Sequence, residues 1–532
     1  MNALIRVEGL RVSFGGRVAA DGVGFEIGPG ECVALVGESG SGKSVSARSL
    51  LGLVGAGSRV DAAVLEIDGQ DARRFSERRW RRVRGRRIGY ILQDALSSLD
   101  PLRTVGAEVR EAIRATGGPR GRAAREQALD LLRRTHVPDP ETRIDERPAQ
   151  LSGGQRQRAL IATALAGDPA VLIADEPTTA LDVSVQKQIL ALFGELKAQG
   201  IALLLISHDL AVVSQLADRV VVLQGGAVVE SGDTADVLSS PEHSYTRSLI
   251  DAAPRFEAPP DADADVSRPL SEERSDETKG VTRDAPDVVL AAEHVSKTFR
   301  LPGGGERQAL KGVSVAVRRG RSLGVVGESG SGKTTIARIL AGFETPDAGT
   351  VRRGGDDPRD VQFVYQDPGV SFDPRWTVGR LLDEAVGLRH PSLARRERSA
   401  RVRGWLERVG LAAGLVDRRP ASLSGGQRQR LGIARALAVE PAVVVLDEPV
   451  SALDVAVQKQ ILELIARLQA ETGVGYLFIS HDLGVIQKVC DEVVVLQGGV
   501  VREQGPTSRV LRDPSDAYTR MLIDAVPSLP AR

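Results

Sequence analysis

Cysteine is nearly missing from this chain of 532 residues: Cys32 and Cys490 stand alone, one in each half, at no spacing that would hold a metal. A disulfide framework is thereby excluded, and such sparse usage suits a reducing compartment. Net charge is missing as well. Seventy basic side chains balance seventy acidic ones, so overall charge points to neither a nucleic acid nor an anionic surface, and no nucleic-acid partner is expected. Long apolar runs are absent too. Residues 201–206 form about the strongest, far short of the roughly 20 that span a bilayer. Arg6 and Glu8 stand where a secretory signal would place its apolar core. The expectation is a chain of the cell interior, or one seated on a membrane through partners. Its length allows about two to four domains with sizeable cores.

What the chain does have, it has twice. Gly37-Glu38-Ser39-Gly40-Ser41-Gly42-Lys43-Ser44 and Gly327-Glu328-Ser329-Gly330-Ser331-Gly332-Lys333-Thr334 both fit G-x-x-x-x-G-K-[ST]. In such a loop the glycines let backbone N–H groups turn inward around phosphates, and the helix that follows adds favourable partial charge. Lys43 and Lys333 can reach terminal phosphates, while the hydroxyls of Ser44 and Thr334 can ligate Mg²⁺. Apolar residues 32–36 and 322–326 read as short buried strands feeding the loops, and 45–53 and 335–341 as the helices leaving them. The chain is expected to bind nucleoside triphosphates.

The duplication extends well beyond these loops. Gly37 recurs as Gly327, an offset of 290 (327 − 37), whereas Gln93 recurs as Gln366, an offset of 273 (366 − 93). The second copy has therefore lost about 17 residues between its phosphate loop and Gln366. Two domains, 1–251 and 288–532, flank a Pro-, Asp-, Glu- and Ser-rich stretch, 252–287, whose composition buries too little apolar surface to order itself. Each half opens with a strand pattern (3–14 and 288–299) and has a polar helical middle (108–134 and 380–409) followed by two apolar strands. Strands alternating with helical patterns predict an α/β fold around a mainly parallel sheet. Residues 73–87 hold nine arginines, read as a solvated helix face rather than a nucleic-acid patch.

Two of the apolar strands end in Asp175-Glu176-Pro177 and Asp447-Glu448-Pro449. This puts paired carboxylates at the strands' C-terminal edge, where ligands sit in such sheets. Neighbouring strand residues point opposite ways, so the pair can divide its labour. Asp175 and Asp447 are assigned to the Mg²⁺ shell through water, and Glu176 and Glu448 to polarising the attacking water. Gln93 and Gln366, each after a short apolar strand, are candidates to orient that water or touch Mg²⁺. His208 and His481 end strands of their own and are candidates to donate to the γ-phosphate.

The order phosphate loop, Gln, Leu-Ser-Gly-Gly-Gln, apolar-Asp-Glu, Ala-Leu-Asp, Ser-His-Asp resembles an ABC-type ATPase cassette, and the resemblance covers both halves. It implies that each half has a parallel-sheet core with antiparallel-β and helical subdomains. It further implies that Phe14 and Phe299 stack on adenine and that Asp182 and Asp454 lie in the loop communicating between sites. In that family, cassettes pair head to tail. The site of Lys43 would then be completed by Ser424, Gly425, Gly426 and Gln427, and that of Lys333 by Ser152, Gly153, Gly154 and Gln155.

Around Gln93 and Gln366, the segments Asp94-Ala95-Leu96-Ser97-Ser98-Leu99-Asp100-Pro101 and Asp367-Pro368-Gly369-Val370-Ser371-Phe372-Asp373-Pro374 resemble those of dipeptide, oligopeptide and nickel importer ATPases. So do the tails, Ser244-Tyr245-Thr246-Arg247 and Ala517-Tyr518-Thr519-Arg520. Ala95 departs from the usual proline, and the cysteine cluster of many members is absent, so no iron–sulfur site is expected. The resemblance implies a fused pair of ATPases on the cytoplasmic face of the cell membrane. Its partners would be two membrane-spanning permease subunits, with an extracytoplasmic binding protein delivering the solute. Peptides are the first expectation for that solute. The alternatives are a non-peptide solute, or a tandem ATPase acting on a soluble machine such as the ribosome.

Overall fold

The computed structural model describes residues 3–93, 98–179, 181–253, 288–300, 305–355, 357–451 and 453–527. Apart from Ala252 and Ala253, the expected linker lies outside the described residues, as do 94–97 of the importer-like segment. The chain divides into two compact units, the first running to Ala253.

In the first unit the strands, in chain order, are β1 (Ile5–Phe14), β2 (Arg17–Ile27), β3 (Cys32–Val36), β4 (Ser58–Asp61), β5 (Val64–Ile67), β6 (Gln70–Asp71), β7 (Ile88–Ile91), β8 (Val171–Asp175), β9 (Ala202–Ile206), β10 (Arg219–Gln224) and β11 (Ala227–Asp233). A sheet ordered β11-β10-β3-β9-β8-β7 forms the centre. It is parallel from β10 to β7, with β11 antiparallel at the edge. Every residue of β3 and β9 is buried, as expected of parallel strands covered on both faces. β1 instead alternates: Ile5, Val7, Leu10 and Val12 face the core while Arg6 and Arg11 point out. It pairs antiparallel with β2, β4 and β5 in a second sheet.

The second unit repeats this plan with β12 (Val288–Arg300), β13 (Glu306–Arg318), β14 (Ser322–Val326), β15 (Ala348–Arg353), β16 (Val361–Val364), β17 (Val443–Asp447), β18 (Gly475–Ile479), β19 (Glu492–Gln497) and β20 (Val500–Pro506). Its central sheet runs β16-β17-β18-β14-β19-β20. Its antiparallel sheet is reduced to β13-β12-β15, so the shortening trims this subdomain without abolishing it. β15 pairs with β12 as β5 pairs with β1, so among the described residues the elements without a counterpart are β6 and the helix Glu77–Val83 of the first unit. There Trp80 lies so close to Gly52 that a Cβ on the glycine would meet the indole at 2.8 Å. In the second unit Phe343, at the position matching Leu53, is half-exposed and stacks on Tyr365 with ring centroids 6.3 Å apart.

Three local expectations are revised. The phosphate-loop helices span Lys43–Ser49 and Lys333–Leu340; the first stops short of Leu53 because Gly52 turns left-handed (φ 61). The helical middles are each two helices, Val105–Ala115 with Gly121–Arg134 and Val378–Arg389 with Arg395–Arg408. Gly117, Gly118 and Pro119 break the first of these, and Pro391 lies in the break of the second. The arginine-rich stretch is only partly helical, and several of its guanidiniums tie down local structure. Arg84 donates to Leu51 O and Gly52 O and pairs with Glu77, while Arg73 holds Asp71.

Candidate nucleotide-hydrolysis sites

Because the central strands are parallel, β3, β7, β8 and β9 deliver their following residues to one sheet edge. That edge gathers the phosphate loop, Gln93, Asp175, Glu176 and His208 from stretches far apart in sequence. The loop's shape depends on Gly37, whose φ is 142° and whose Cβ would fall 2.2 Å from Leu223 O; at Gly327 the corresponding distance is 2.1 Å from Leu496 O. Lys43 is almost fully buried and its Nζ donates to Gly37 O (2.6 Å) and Glu38 O (2.8 Å). Lys333 does the same with Gly327 O (2.7 Å) and Glu328 O (2.9 Å). Burial holds the Lys43 ammonium below the usual lysine range, against the opposing pull of Glu176 and Asp175. The hydroxyls of Ser41 and Ser331 are buried inside the loops and make no hydrogen bond among the described residues. Such a group is the kind that a phosphate oxygen satisfies. Ser39, Gly40 and Gly42, with Ser329, Gly330 and Gly332, complete the two turns.

Asp175 is fully buried at the end of β8, accepting from Ser44 Oγ and from the Tyr90 hydroxyl, each at 2.9 Å. Phe363 stands at the position matching Tyr90 (offset 273, 363 − 90), so this donor has no counterpart at Asp447. Burial, with Glu448 adding to it, pushes the Asp447 carboxyl up to about 6 despite Lys333 and Arg338. Thr334 follows Lys333 as Ser44 follows Lys43.

Glu176 and Glu448 are not simple continuations of their strands. Both have left-handed backbones, with φ of 50° and 46°, a conformation that costs a non-glycine residue about 1–2 kcal/mol. Their separation from Asp175 and Asp447 therefore comes from this local twist rather than from strand alternation. Gln93 Nε2 donates to Glu176 Oε2 at 2.7 Å, and Gln366 Nε2 to Glu448 Oε2 at 2.9 Å. His208 Nδ1 lies 3.4 Å from Glu176 Oε1, and His481 Nδ1 lies 3.2 Å from Glu448 Oε1. Each glutamate thus has one oxygen on a glutamine and the other on a histidine. Burial raises these carboxyls, but the histidine and the phosphate-loop lysine outweigh it and leave both below the ordinary glutamate value. The histidines, conversely, are lowered by burial and raised further by the glutamates, ending above their ordinary value. Thr179 Oγ1 and Ser451 Oγ also reach this cluster, donating to Glu176 Oε2 (3.3 Å) and Glu448 O (3.2 Å).

Ser152 and Ser424 cap the helices Gly153–Ala164 and Gly425–Leu437. Gln155 and Gln427 return the favour, each accepting from the serine N–H at 2.9 and 3.0 Å, a reciprocal capping box. Gly154 and Gly426 allow close helix packing, since a Cβ would meet Val185 or Val457 at 2.5 Å. Asp182 caps the helix Val183–Ala198 through Val185 N (3.1 Å), and Asp454 precedes Val455–Thr472. Phe14 ends β1 against the first unit's core, whereas Phe299 is partly exposed, with Lys297 Nζ 5.5 Å from its ring centre.

The model of the family described as "ABC transporter" matches residues 20–179 and 310–451. The chain belongs to this family. A second model, "Oligopeptide/dipeptide transporter, C-terminal region", matches 229–279 and 502–532. The chain is 41% identical to the peptidoglycan transport ATP-binding protein YejF of Agrobacterium fabrum (strain C58 / ATCC 33970), covering 98% of this chain and 96% of that one. It is 38% identical to the oligopeptide transport ATP-binding protein OppD of Mycobacterium tuberculosis (strain ATCC 25618 / H37Rv), over 99% of both. With the glutathione import ATP-binding protein GsiA of Escherichia coli (strain K12), identity is 39% over 98% of this chain and 89% of that one. The solved structure of the RNase-L inhibitor aligns over 92% of this chain and 88% of its own at a TM-score of 0.59; at 20% identity this likeness is one of fold alone. As an ABC protein with two cassettes, the chain is an ATP-binding, ATP-hydrolysing subunit of a transporter.

Sequence reasoning missed Tyr90, Thr179 and Ser451, and it left the tail tyrosines without a role. The hydroxyl of Tyr245 accepts from Glu38 N at 3.0 Å and that of Tyr518 from Glu328 N at 3.1 Å. The available signal was their recurrence at an offset of 273 (518 − 245), equal to that of Gln93 and Gln366.

Proposed function

We propose that this chain is the energy-coupling subunit of an importer of di- and oligopeptides, with residues 1–251 and 288–532 as its two ATPase domains. The observation that carries the solute class is the recurrence of the oligopeptide/dipeptide C-terminal region after both cassettes. The names of its relatives carry oligopeptide, glutathione and peptidoglycan transport, and peptide bonds are common to all three. Two membrane-spanning permease subunits complete the machine at the cytoplasmic face of the membrane, and a binding protein outside supplies the solute.

In each cassette the phosphate loop and its lysine bind the β- and γ-phosphates of ATP, with Phe14 or Phe299 against the adenine. The paired cassettes close over both nucleotides head to tail, Ser424 to Gln427 serving the site of Lys43 and Ser152 to Gln155 that of Lys333. Asp182 and Asp454 carry the state of one site to the other. Ser44, Gln93 and Asp175, and in the second site Thr334, Gln366 and Asp447, supply the hard oxygen donors that suit Mg²⁺. When bound there, Mg²⁺ neutralises charge on the phosphate oxygens. Glu176 and Glu448 take the proton of the attacking water. His208 and His481 orient these carboxylates and stand ready to donate to the γ-phosphate.

The test is to express a tagged chain in its native host, solubilise the membranes gently and identify what co-purifies. Two polytopic membrane proteins, with ATPase activity that responds to a peptide-loaded binding protein, would bear out the reading. Ribosomal particles without an integral membrane partner would overturn it, and a binding protein that ignores peptides would overturn the solute class.

A further inference from the structure

The tails of the two units end in short helices, Ser244–Ala252 and Ala517–Asp524, whose tyrosines lie against the phosphate loops. Tyr245 and Tyr518 are buried, at 8% and 4% exposure. Each is held at both ends. Its backbone N–H donates to a capping side chain, His243 Nδ1 at 3.2 Å or Asp516 Oδ1 at 2.7 Å. Its hydroxyl accepts the N–H of the loop's second residue, Glu38 or Glu328. The segment before each helix is anchored in turn by a carboxylate from the adjoining hairpin. Glu230 accepts from Glu242 N (2.8 Å) and His243 N (3.1 Å), and Glu503 from Ser515 N (2.9 Å) and Asp516 N (3.2 Å).

The carbonyl of that same loop residue is one of the two on which the lysine ammonium rests. A tyrosine hydroxyl on the N–H side of Glu38 and Lys43 on its C=O side therefore fix the backbone at the loop's entrance. Two unrelated cap residues, His243 and Asp516, produce the same placement, so the arrangement does not hang on one cap chemistry.

We propose that Tyr245 and Tyr518 are positioning residues of the two ATP sites, through which the tail region holds each phosphate loop in its nucleotide-binding shape. This rests on the reading of Lys43 and Lys333 as phosphate ligands. Losing the hydroxyl leaves the loop N–H without its acceptor and lets the peptide rock, which misplaces the lysine. A hydrogen bond of ordinary net strength corresponds to a change of about two- to tenfold.

The experiment is site-resolved hydrogen exchange on the full chain, titrated with a non-hydrolysable ATP analogue and Mg²⁺. Peptides across the two loops are distinguishable, because Ser44-Val45 follows one lysine and Thr334-Thr335 the other. Tyr245→Phe is expected to speed exchange about two- to tenfold in the first loop alone, and to raise by a similar factor the analogue concentration that protects it. Tyr518→Phe should do the same in the second loop alone. Unchanged exchange and affinity overturn the proposal. So does faster exchange in both loops without nucleotide, where the sites are not coupled through bound ATP, or fast exchange spreading through the helix Ser244–Ala252, since either assigns the hydroxyl to general stability. Lys43→Ala, run alongside, separates the two levels: if it leaves protection of the first loop intact, the phosphate-ligand reading itself fails.

Discussion

Replacing Glu176 and Glu448 by glutamine, singly and together, separates chemistry from stability at these sites. The amide is nearly isosteric, so contacts with Gln93 and Gln366 can be rebuilt, but the charge facing each histidine is lost. Across the 3.4 Å that separates His208 Nδ1 from Glu176 Oε1, the gross attraction is about 5 kcal/mol at an effective dielectric constant of about 20. Most of this is offset by the desolvation that burying the two charges costs, and without the glutamate the buried histidine sheds its proton instead of staying charged and unpaired, so folding stability should move by only about 1 kcal/mol in either direction. The chemical effect should be far larger. Losing a positioned general base costs about 10²- to 10⁴-fold in rate, or about 3–5 kcal/mol of barrier. Steady-state ATPase assays and thermal melts on the same preparations make the comparison. Each single variant should retain activity through its intact site, while the double falls by about two orders of magnitude or more with a nearly unchanged melt. A double variant retaining full activity would refute the assignment of these residues, and a large drop in melting temperature would make their role structural.

Gly37→Ala and Gly327→Ala place a Cβ about 2 Å from the carbonyls of Leu223 and Leu496 in a backbone that L side chains avoid; binding of a fluorescent ATP analogue at the altered site should be lost. Stability of the second unit should fall as pH rises from about 4 to 6. Asp447 has a folded pKa of about 6 against an ordinary 3.8, so in that window the folded state binds more protons, and the penalty above it is at most about 3 kcal/mol. Denaturation of wild type and Asp447→Asn across this range should show the slope only in wild type. Phe363→Tyr, which offers Asp447 the hydroxyl that Tyr90 gives Asp175, should flatten the same slope; an unchanged profile would mean that a hydroxyl at this position does not stabilise the Asp447 carboxylate. Trp80→Ala strips the cover from Gly52 and, since the indole is only partly buried, should destabilise the first unit by about 1–3 kcal/mol, measured by urea denaturation.

Whatever depends on neighbours along the chain was legible in the residues alone. A phosphate loop is eight consecutive residues, and its glycines, lysine and hydroxyl carry their chemistry in that order wherever the loop is placed. A serine followed three residues later by a glutamine is likewise a complete instruction for a capping box, as Ser152 and Gln155 show. Fully apolar strands such as β3 and β9 announced a parallel sheet, and the sheet's one-sided edge placed the aspartates, glutamines and histidines near the loop. Which of these groups touch depends on how the folded elements pack. Gln93 and His208 converge on Glu176 from 83 and 32 residues away (176 − 93, 208 − 176), and the glutamate meets both because its backbone turns left-handed, which no local pattern required. The same holds for Tyr90 on Asp175 and for Tyr245 on Glu38, a contact spanning 207 residues. These partners come from different strands and helices. A hydrogen bond tolerates only a few tenths of an ångström, so its existence is settled by how those elements pack against one another, not by the residue types they bring.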